Sequence, residues 1–368
     1  MSRIPHTLCS LSDYEAEAER HLPPDVWAYI SGSSMDGLTK RRNASAYDQC
    51  LLQSRVLVEG LGQGGCQTQL FGRSLKSPLL IAPLAYQRLV HPMGEIATVQ
   101  AALAQGVGFC LSTLSSTSIE AVSEAASDSC RWFQLYCQPD LNETLHLIDR
   151  AEQADFQALI VTVDAPFNGV RHDEQRAGFR LPADVSAVNL NHLPKPRAGD
   201  SVFECWMKTA PTWKTIGLIL EHTHLPVILK GVMHPEDALK AVDLGVSGII
   251  VSNHGGRVLD TQPASLEVLP LMRQVLPEGF PILMDGGIRR GSDIFKAIAL
   301  GADAVLLGRY VLYALAVAGP LGVAHILRVL RDELEATMAL CGCASLADVS
   351  TACLFDFPGT FSNNRGLE

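Results

Sequence analysis

The sequence predicts an α/β fold: one (β/α)8 TIM barrel with an N-terminal helical cap and a lid loop after the fourth strand. Two observations predict it. From Leu79 onward, short apolar runs alternate with amphipathic stretches such as Ile96–Gln105, and polar or glycine residues follow every run. The runs are Leu79–Ala82, Gly108–Ser112, Trp132–Leu135, Ala158–Val163, Val227–Leu229, Gly248–Val251, Ile282–Met284 and Ala304–Leu307. That number closes a parallel barrel. Their near-continuous apolar character fits strands buried on both faces, whereas a half-solvated antiparallel sheet would alternate apolar and polar positions.

The flanking elements follow in order. Residues 11–30 space their apolar positions as a helix does, and Pro23-Pro24 marks where a second helix begins. Residues 1–75 therefore read as a cap, 76–345 as the barrel and 346–368 as a loose tail, all within a single domain. Between Leu181 and Pro211 the chain is rich in Pro, Asn, Asp and Lys, too long for a simple βα connection. It reads as a mobile lid over the site.

Composition narrows the function. Of 368 residues, 47% are hydrophobic and 18% charged, which suits a soluble globular enzyme. A net charge of −10 argues against binding nucleic acid, which requires basic surface. The start of the chain has no apolar signal core, and the later apolar stretches read as strand-sized, so neither secretion nor a membrane span is expected. Ten cysteines without a CxxC framework read as reduced thiols in a cytoplasmic protein. Cys341 and Cys343 stand too isolated for a zinc site, and no metal is expected.

In a barrel the chemistry sits on the loops after the strands. Pro83-Leu84-Ala85-Tyr86 follows the first run, Ser112 ends the second, Gln134 and Tyr136 close the third, and Thr162 and Asp164 the fourth. The later runs deliver Lys230, then Ser252-Asn253-His254 with Arg257, then Asp285-Gly286-Gly287, then Gly308-Arg309. Each has an ordinary alternative. Lys230 would snorkel to water, His254 would be a hydrogen-bonded core histidine, and Tyr29 and Tyr136 would be core tyrosines. Asp164 would cap a helix, and Arg171 would sit in a solvated turn. Independent accidents would not gather all of them on one rim.

The segment Asp285-Gly286-Gly287-Ile288-Arg289-Arg290-Gly291, together with Gly308-Arg309, combines glycines that let backbone N–H groups approach an anion with arginine forks and a helix start. This pattern predicts a phosphate site.

At these residues the sequence resembles the FMN-dependent L-2-hydroxy-acid oxidases and dehydrogenases, almost end to end. The similarity is carried by Ser252-Asn253-His254-Gly255-Gly256-Arg257-Val258-Leu259-Asp260, Gln134-Leu135-Tyr136, Thr162-Val163-Asp164-Ala165-Pro166, Leu229-Lys230-Gly231 and the glycine-arginine segment from Asp285. The resemblance implies FMN as cofactor and a small 2-hydroxy acid as substrate, with His254 as base and Asp164 stabilising its imidazolium. Arg257 and Arg171, with Tyr29, would clamp the substrate carboxylate, while Tyr136 would bond the hydroxyl. Lys230 would lie at the flavin N1/O2 edge, with Ser112, Gln134, Thr162 and Ser252 around the ring and Pro83, Leu84 and Ala85 against it. Asp285, Gly286, Gly287, Arg289, Gly308 and Arg309 would hold the rest of the cofactor.

Ala85 stands where family oxidases carry alanine, so O2 is the expected acceptor, with a quinone or protein acceptor, or a catalytically silent flavin barrel, as alternatives. Leu84, Tyr86 and Leu114 depart from glycolate-oxidase-like members. Leucine in place of a tryptophan at 114 leaves room for a longer or aromatic side chain. Val170 replaces one of two adjacent arginines, but Arg171 remains. By resemblance the protein is a homotetramer.

Overall fold

The computed structural model describes residues 4–190, 201–208 and 210–355. Ten strands are present among them. β1 (Thr68–Leu70) and β2 (Arg73–Leu75) form a short antiparallel hairpin. β3 (Leu79–Ile81), β4 (Gly108–Ser112), β5 (Arg131–Leu135), β6 (Ala158–Thr162), β7 (Val227–Lys230), β8 (Gly248–Val251), β9 (Ile282–Asp285) and β10 (Ala304–Leu307) close into a parallel barrel, β10 pairing with both β3 and β9. All eight fall on the apolar runs, within one residue at either end.

Every barrel strand is buried along its length, and the period of two shows why. Leu80, Cys110, Trp132, Ile160, Ile228 and Ile250 point inward, while Leu79, Phe109, Phe133, Leu159 and Ile249 point outward to the helices. Two apolar layers thus share each strand, so the runs show no alternation. The hairpin, which the sequence reading missed, plugs the amino-terminal mouth. Leu70, Leu75 and Phe71 pack on the inner layer, with the Phe71 ring edge-on to Trp132 at 5.4 Å.

The cap forms helices over Leu11–His21 and Pro24–Ser31, as the spacing predicts, and a third over Leu38–Gln49. Ser10 caps the first through a reciprocal pairing with Asp13. A correction concerns the end of the barrel. Arg309–Cys341 is 33 residues of helix, long and apolar enough to cross a membrane, so the apolar stretches are not all strand-sized. It is in fact two helices, broken where Ala318 and Gly319 leave helical geometry ahead of Pro320. Its most apolar window is 56% buried, packed on the helices Gly94–Gln105, Leu11–His21 and Gly291–Ala299.

Two segments expected to be loose are partly pinned. Of the tail, residues 346–355 form two short 3-10 turns with Val349, Cys353 and Leu354 buried, and Leu354 bridges to Leu52. Of the lid 181–211, residues 181–190 lie against the barrel with Val185, Ala187 and Asn189 buried. Residues 203–207 form a π-helical turn, while 191–200 and 209 lie outside the described residues, as does the tail beyond 355.

Phe71→Ala removes the ring that closes the barrel floor, and should lower unfolding stability by about 2–3 kcal/mol, as large-to-small core changes do. A shift in the urea midpoint at constant m-value measures this; an unchanged midpoint would show that the hairpin is ornamental.

Candidate active site

The carboxyl ends of the barrel strands surround one cavity of about 330 Å³. Most of the residues singled out from the sequence line it: Tyr29 from the cap, Pro83, Leu84, Ala85, Ser112 and Leu114 after β3 and β4, Tyr136 and Thr162 after β5 and β6, and Arg171 beyond them. Lys230, His254 and Arg257 complete that side, and Asp285, Gly286, Gly287, Arg289, Gly308 and Arg309 form the far end. Asp164, Gln134 and Ser252 do not line it. They stand one layer back and act on those that do.

His254 and Asp164 are paired: the ring Nδ1 lies 3.1 and 3.3 Å from the two carboxylate oxygens. Asp164 is therefore not a helix cap. Burial works to raise its pKa, but His254 and then Lys230 outweigh that and hold it below the usual carboxylate range. His254 adopts φ +56, a left-handed conformation that a residue with a Cβ seldom takes, and its N–H donates to Ser252 Oγ at 3.1 Å. Gly231 opposite is equally constrained, because a Cβ there would stand 2.4 Å from Asp164 Cβ.

Lys230 does not snorkel to water. Its ammonium is buried, 3.0 Å from Asp285 Oδ2 and 2.8 Å from Ser252 Oγ, which leaves one of its three donors for a ligand. Burial opposes its charge, yet Asp285 and Asp164 raise its pKa above the ordinary value, so it remains a fixed cation. Beneath the cavity, Gln134 donates to Thr162 Oγ1 at 3.0 Å and accepts from Ser112 Oγ at 3.1 Å, tying three successive strands.

Arg257 and Arg309 both donate to the carbonyls of Ile30 and Gly32 at the end of the second cap helix, at 3.0–3.2 Å. Arg309 also reaches Gly255 O at 2.9 Å. It therefore joins Arg257 at the cap as well as lining the phosphate end. Burial first, then the nearby Arg171 and Arg309, push the Arg257 pKa downward. Arg171 donates to Glu174 at 3.1 Å and to Asn168 at 3.2 Å, while its buried Nε has no partner. Tyr29 lies under Arg257, 5.4 Å from ring centroid to guanidinium carbon, and stacks on Phe179 at 4.4 Å. Burial raises the Tyr136 phenol, with Asp164 adding to the effect, so Tyr136 is a donor.

Several residues escaped the sequence reading. Ser34 joins the cap to two catalytic loops, its Oγ bonding Val170 O and Val258 O at 3.2 and 3.0 Å and its N–H bonding Gly256 O at 2.8 Å. Asp260 accepts the N–H groups of Asp36, Leu38 and Thr39 at the start of the third helix. Asn43 and Asn253 exchange amide hydrogen bonds at 2.8 Å. Asp260 and Asn253 lie inside the motif that carries the resemblance; the cap residues have no sequence signal of their own.

The far end of the cavity fits FMN. Arg289 Nε and Asp285 Oδ1 are buried without partners, one a donor suited to phosphate, the other an acceptor suited to a ribityl hydroxyl. Gly286 and Gly287 have φ +102 and +86, and a Cβ on Gly287 would lie 2.3 Å from Asn43 O, so the turn must be glycine. Around Gly308, by contrast, a Cβ would meet nothing within 4 Å, open space against the cradle.

Comparison with known proteins agrees. The family model described as FMN-dependent dehydrogenase matches residues 18–356. An L-lactate oxidase from Roseobacter sp. (strain GAI101) is 46% identical over 359 residues, covering 96% of both chains. A 4-hydroxymandelate oxidase from Amycolatopsis orientalis is 40% identical over 346 residues, covering 92% of this chain and 96% of its own. A crystal structure of mandelate oxidase with benzoyl-formic acid superposes with a TM-score of 0.86 at 39% identity, covering 94% of this chain and 98% of the other. Fold, cavity and sequence thus converge, and the protein belongs to the family of FMN-dependent 2-hydroxy-acid oxidases and dehydrogenases.

Proposed function

We propose that this enzyme oxidises an L-2-hydroxy acid with an apolar or aromatic side chain, using O2 as acceptor and releasing H2O2. The observation that carries the reading is the convergence on one cavity of a carboxylate-supported imidazole, two cavity-lining guanidiniums and an apolar wall of Leu84, Tyr86 and Leu114. Substrates of this class carry an anion, a hydroxyl and a side chain, and the three features address them in that order.

Arg171 and Arg257 bind the substrate carboxylate, and Tyr29 bounds it. Tyr136 donates to the 2-hydroxyl oxygen. With Nδ1–H directed at Asp164, the His254 lone pair is on Nε2, and that atom takes the proton the substrate loses. Asp164 then faces an imidazolium at contact distance, which stabilises charge where it develops. FMN supplies the acceptor for the two electrons leaving C2. Lys230, Ser112 and Thr162 would hold its ring, and Asp285, Gly287, Arg289, Gly308 and Arg309 its chain and phosphate. Gln134 and Ser252 support these contacts from behind.

The substrate wall supports an aromatic or longer acid, because Leu114 and Leu84 present branched aliphatic surface. A second reading, L-lactate, is favoured by the relative at 46% identity. No disulfide joins cysteines among the described residues, which supports a cytoplasmic location. A homotetramer is proposed on family resemblance.

An anaerobic bleaching screen across glycolate, L-lactate, longer aliphatic acids and both hands of mandelate tests the substrate class, with peroxide release in air testing the acceptor. Bleaching by an L-acid without peroxide would replace the oxidase by a dehydrogenase; a yellow protein bleached by none would be catalytically silent. His254→Ala should keep its flavin and lose at least about 10²-fold in the rate of bleaching, the contribution of a positioned general base. Undiminished bleaching would remove His254 from that role. Leu114→Trp should cut kcat/KM for (S)-mandelate relative to L-lactate by about tenfold, the scale on which an apolar pocket discriminates. An unchanged ratio would place the side chain elsewhere.

A further inference from the structure

The apolar wall has its own scaffold, outside the cavity. Glu95, on the helix Gly94–Gln105, has no exposed surface and no cationic partner among its hydrogen bonds. Its Oε1 accepts from Gln87 N at 3.1 Å and from Ser116 N and Oγ at 2.9 and 3.0 Å, and Oε2 accepts from Ser116 Oγ at 2.9 Å and Thr117 Oγ1 at 2.7 Å. These donors come from two loops. One carries Leu84, Ala85 and Tyr86; the other carries Leu114.

Asn189 extends the network to a third segment, the root of the long connection after β6. Its Nδ2 donates to Ser115 Oγ at 2.8 Å and Thr117 O at 3.2 Å, and its Oδ1 accepts from Ile119 N at 3.1 Å and Arg150 Nη2 at 3.0 Å. Val185 and Ala187, just before it, pack with Tyr86, Leu114 and Tyr29 in one apolar cluster. Neither Glu95 nor Asn189 lines the cavity.

Burying a carboxylate without a cation is costly unless every oxygen is satisfied, and here the satisfaction comes only from backbone and hydroxyl donors of the loops that it joins. His254 and Lys230, on β8, β7 and their loops, and Asp164, at the start of the connection that carries Asn189, make none of these hydrogen bonds. The geometry points to Glu95 and Asn189 as positioning residues for substrate specificity: they fix the relative placement of Leu84, Tyr86 and Leu114, and so the width of the side-chain pocket. Because this rests on the wall being the substrate side-chain pocket, the test must separate the two claims.

Glu95→Gln and Asn189→Asp preserve shape while altering acceptor charge or removing donors. For each holoenzyme, kcat and KM per bound flavin are measured for L-lactate and (S)-mandelate, with the pH profile of kcat. The expected result is a change of about tenfold in the ratio of kcat/KM between the two acids, carried by KM, because small displacements of a pocket wall alter discrimination strongly. The kcat profile keeps its shape, since the base and its partner are untouched. Equal losses for both acids, or an unchanged ratio in both variants, would overturn the inference. Leu114→Trp is the control: if it moves the ratio and these variants do not, only the positioning role fails, whereas if it also leaves the ratio unchanged, the pocket assignment itself falls. Should one variant yield too little holoenzyme, Thr117→Val, which removes a single donor to Glu95, gives the same reading.

Discussion

The acid–base contacts at this cavity are made across the barrel, and the barrel decides which partners are possible. Side chains on neighbouring strands of a closed, tilted barrel lie at staggered heights, so those in one layer come from alternate strands. Two side-chain pairs obey this rule. Asp164, after β6, meets His254, after β8; Lys230, at the end of β7, meets Asp285, at the end of β9. Negative and positive groups are thereby interleaved around the rim. Asp285 offsets the desolvation of Lys230 two strands away, so this pair persists where an isolated ion would neutralise.

The same interleaving explains the division of labour. Lys230 is committed to Asp285 and feels Asp164 as well, which keeps it charged beneath the position assigned to the flavin. His254 has one nitrogen engaged and one facing the cavity. The guanidiniums lie beyond, with two of them donating to the carbonyls at the end of a cap helix, a set of acceptors carrying partial negative charge. Those carbonyls hold Arg257 and Arg309 in place at the edge of the cavity.

How much of this could be read from the chain alone follows from what each feature depends on. The strands were legible because burial on both faces leaves only apolar residues, and the rim was legible because polar residues stand directly after those runs. Lys230 and His254 were visible as types at positions, but their pairings were not, since Asp164 and His254 are ninety positions apart. That Gln134, Ser252 and Asp164 stand behind the lining depends on rotamers, which no spacing encodes. The hairpin at the barrel mouth was missed because each of its strands is three residues long. The long helix was not anticipated, because its apolar positions are broken at Gly319 and Pro320 while the two halves continue past the break. Residues 181–190 resemble a loop in composition, yet Asn189, Val185 and Ala187 hold them against the loops after β3 and β4.

The triple junction at Ser34 has a consequence for how the polypeptide acquires its shape. Three of its acceptors belong to loops made long after the cap itself, Val170 after β6, and Gly256 and Val258 after β8. The contacts of this one side chain thus join residues 136 and 224 positions apart along the chain. Contacts of such separation carry a large loop-closure cost before they are rewarded, and Ser34 ties the cap to the loops after β6 and β8 at once.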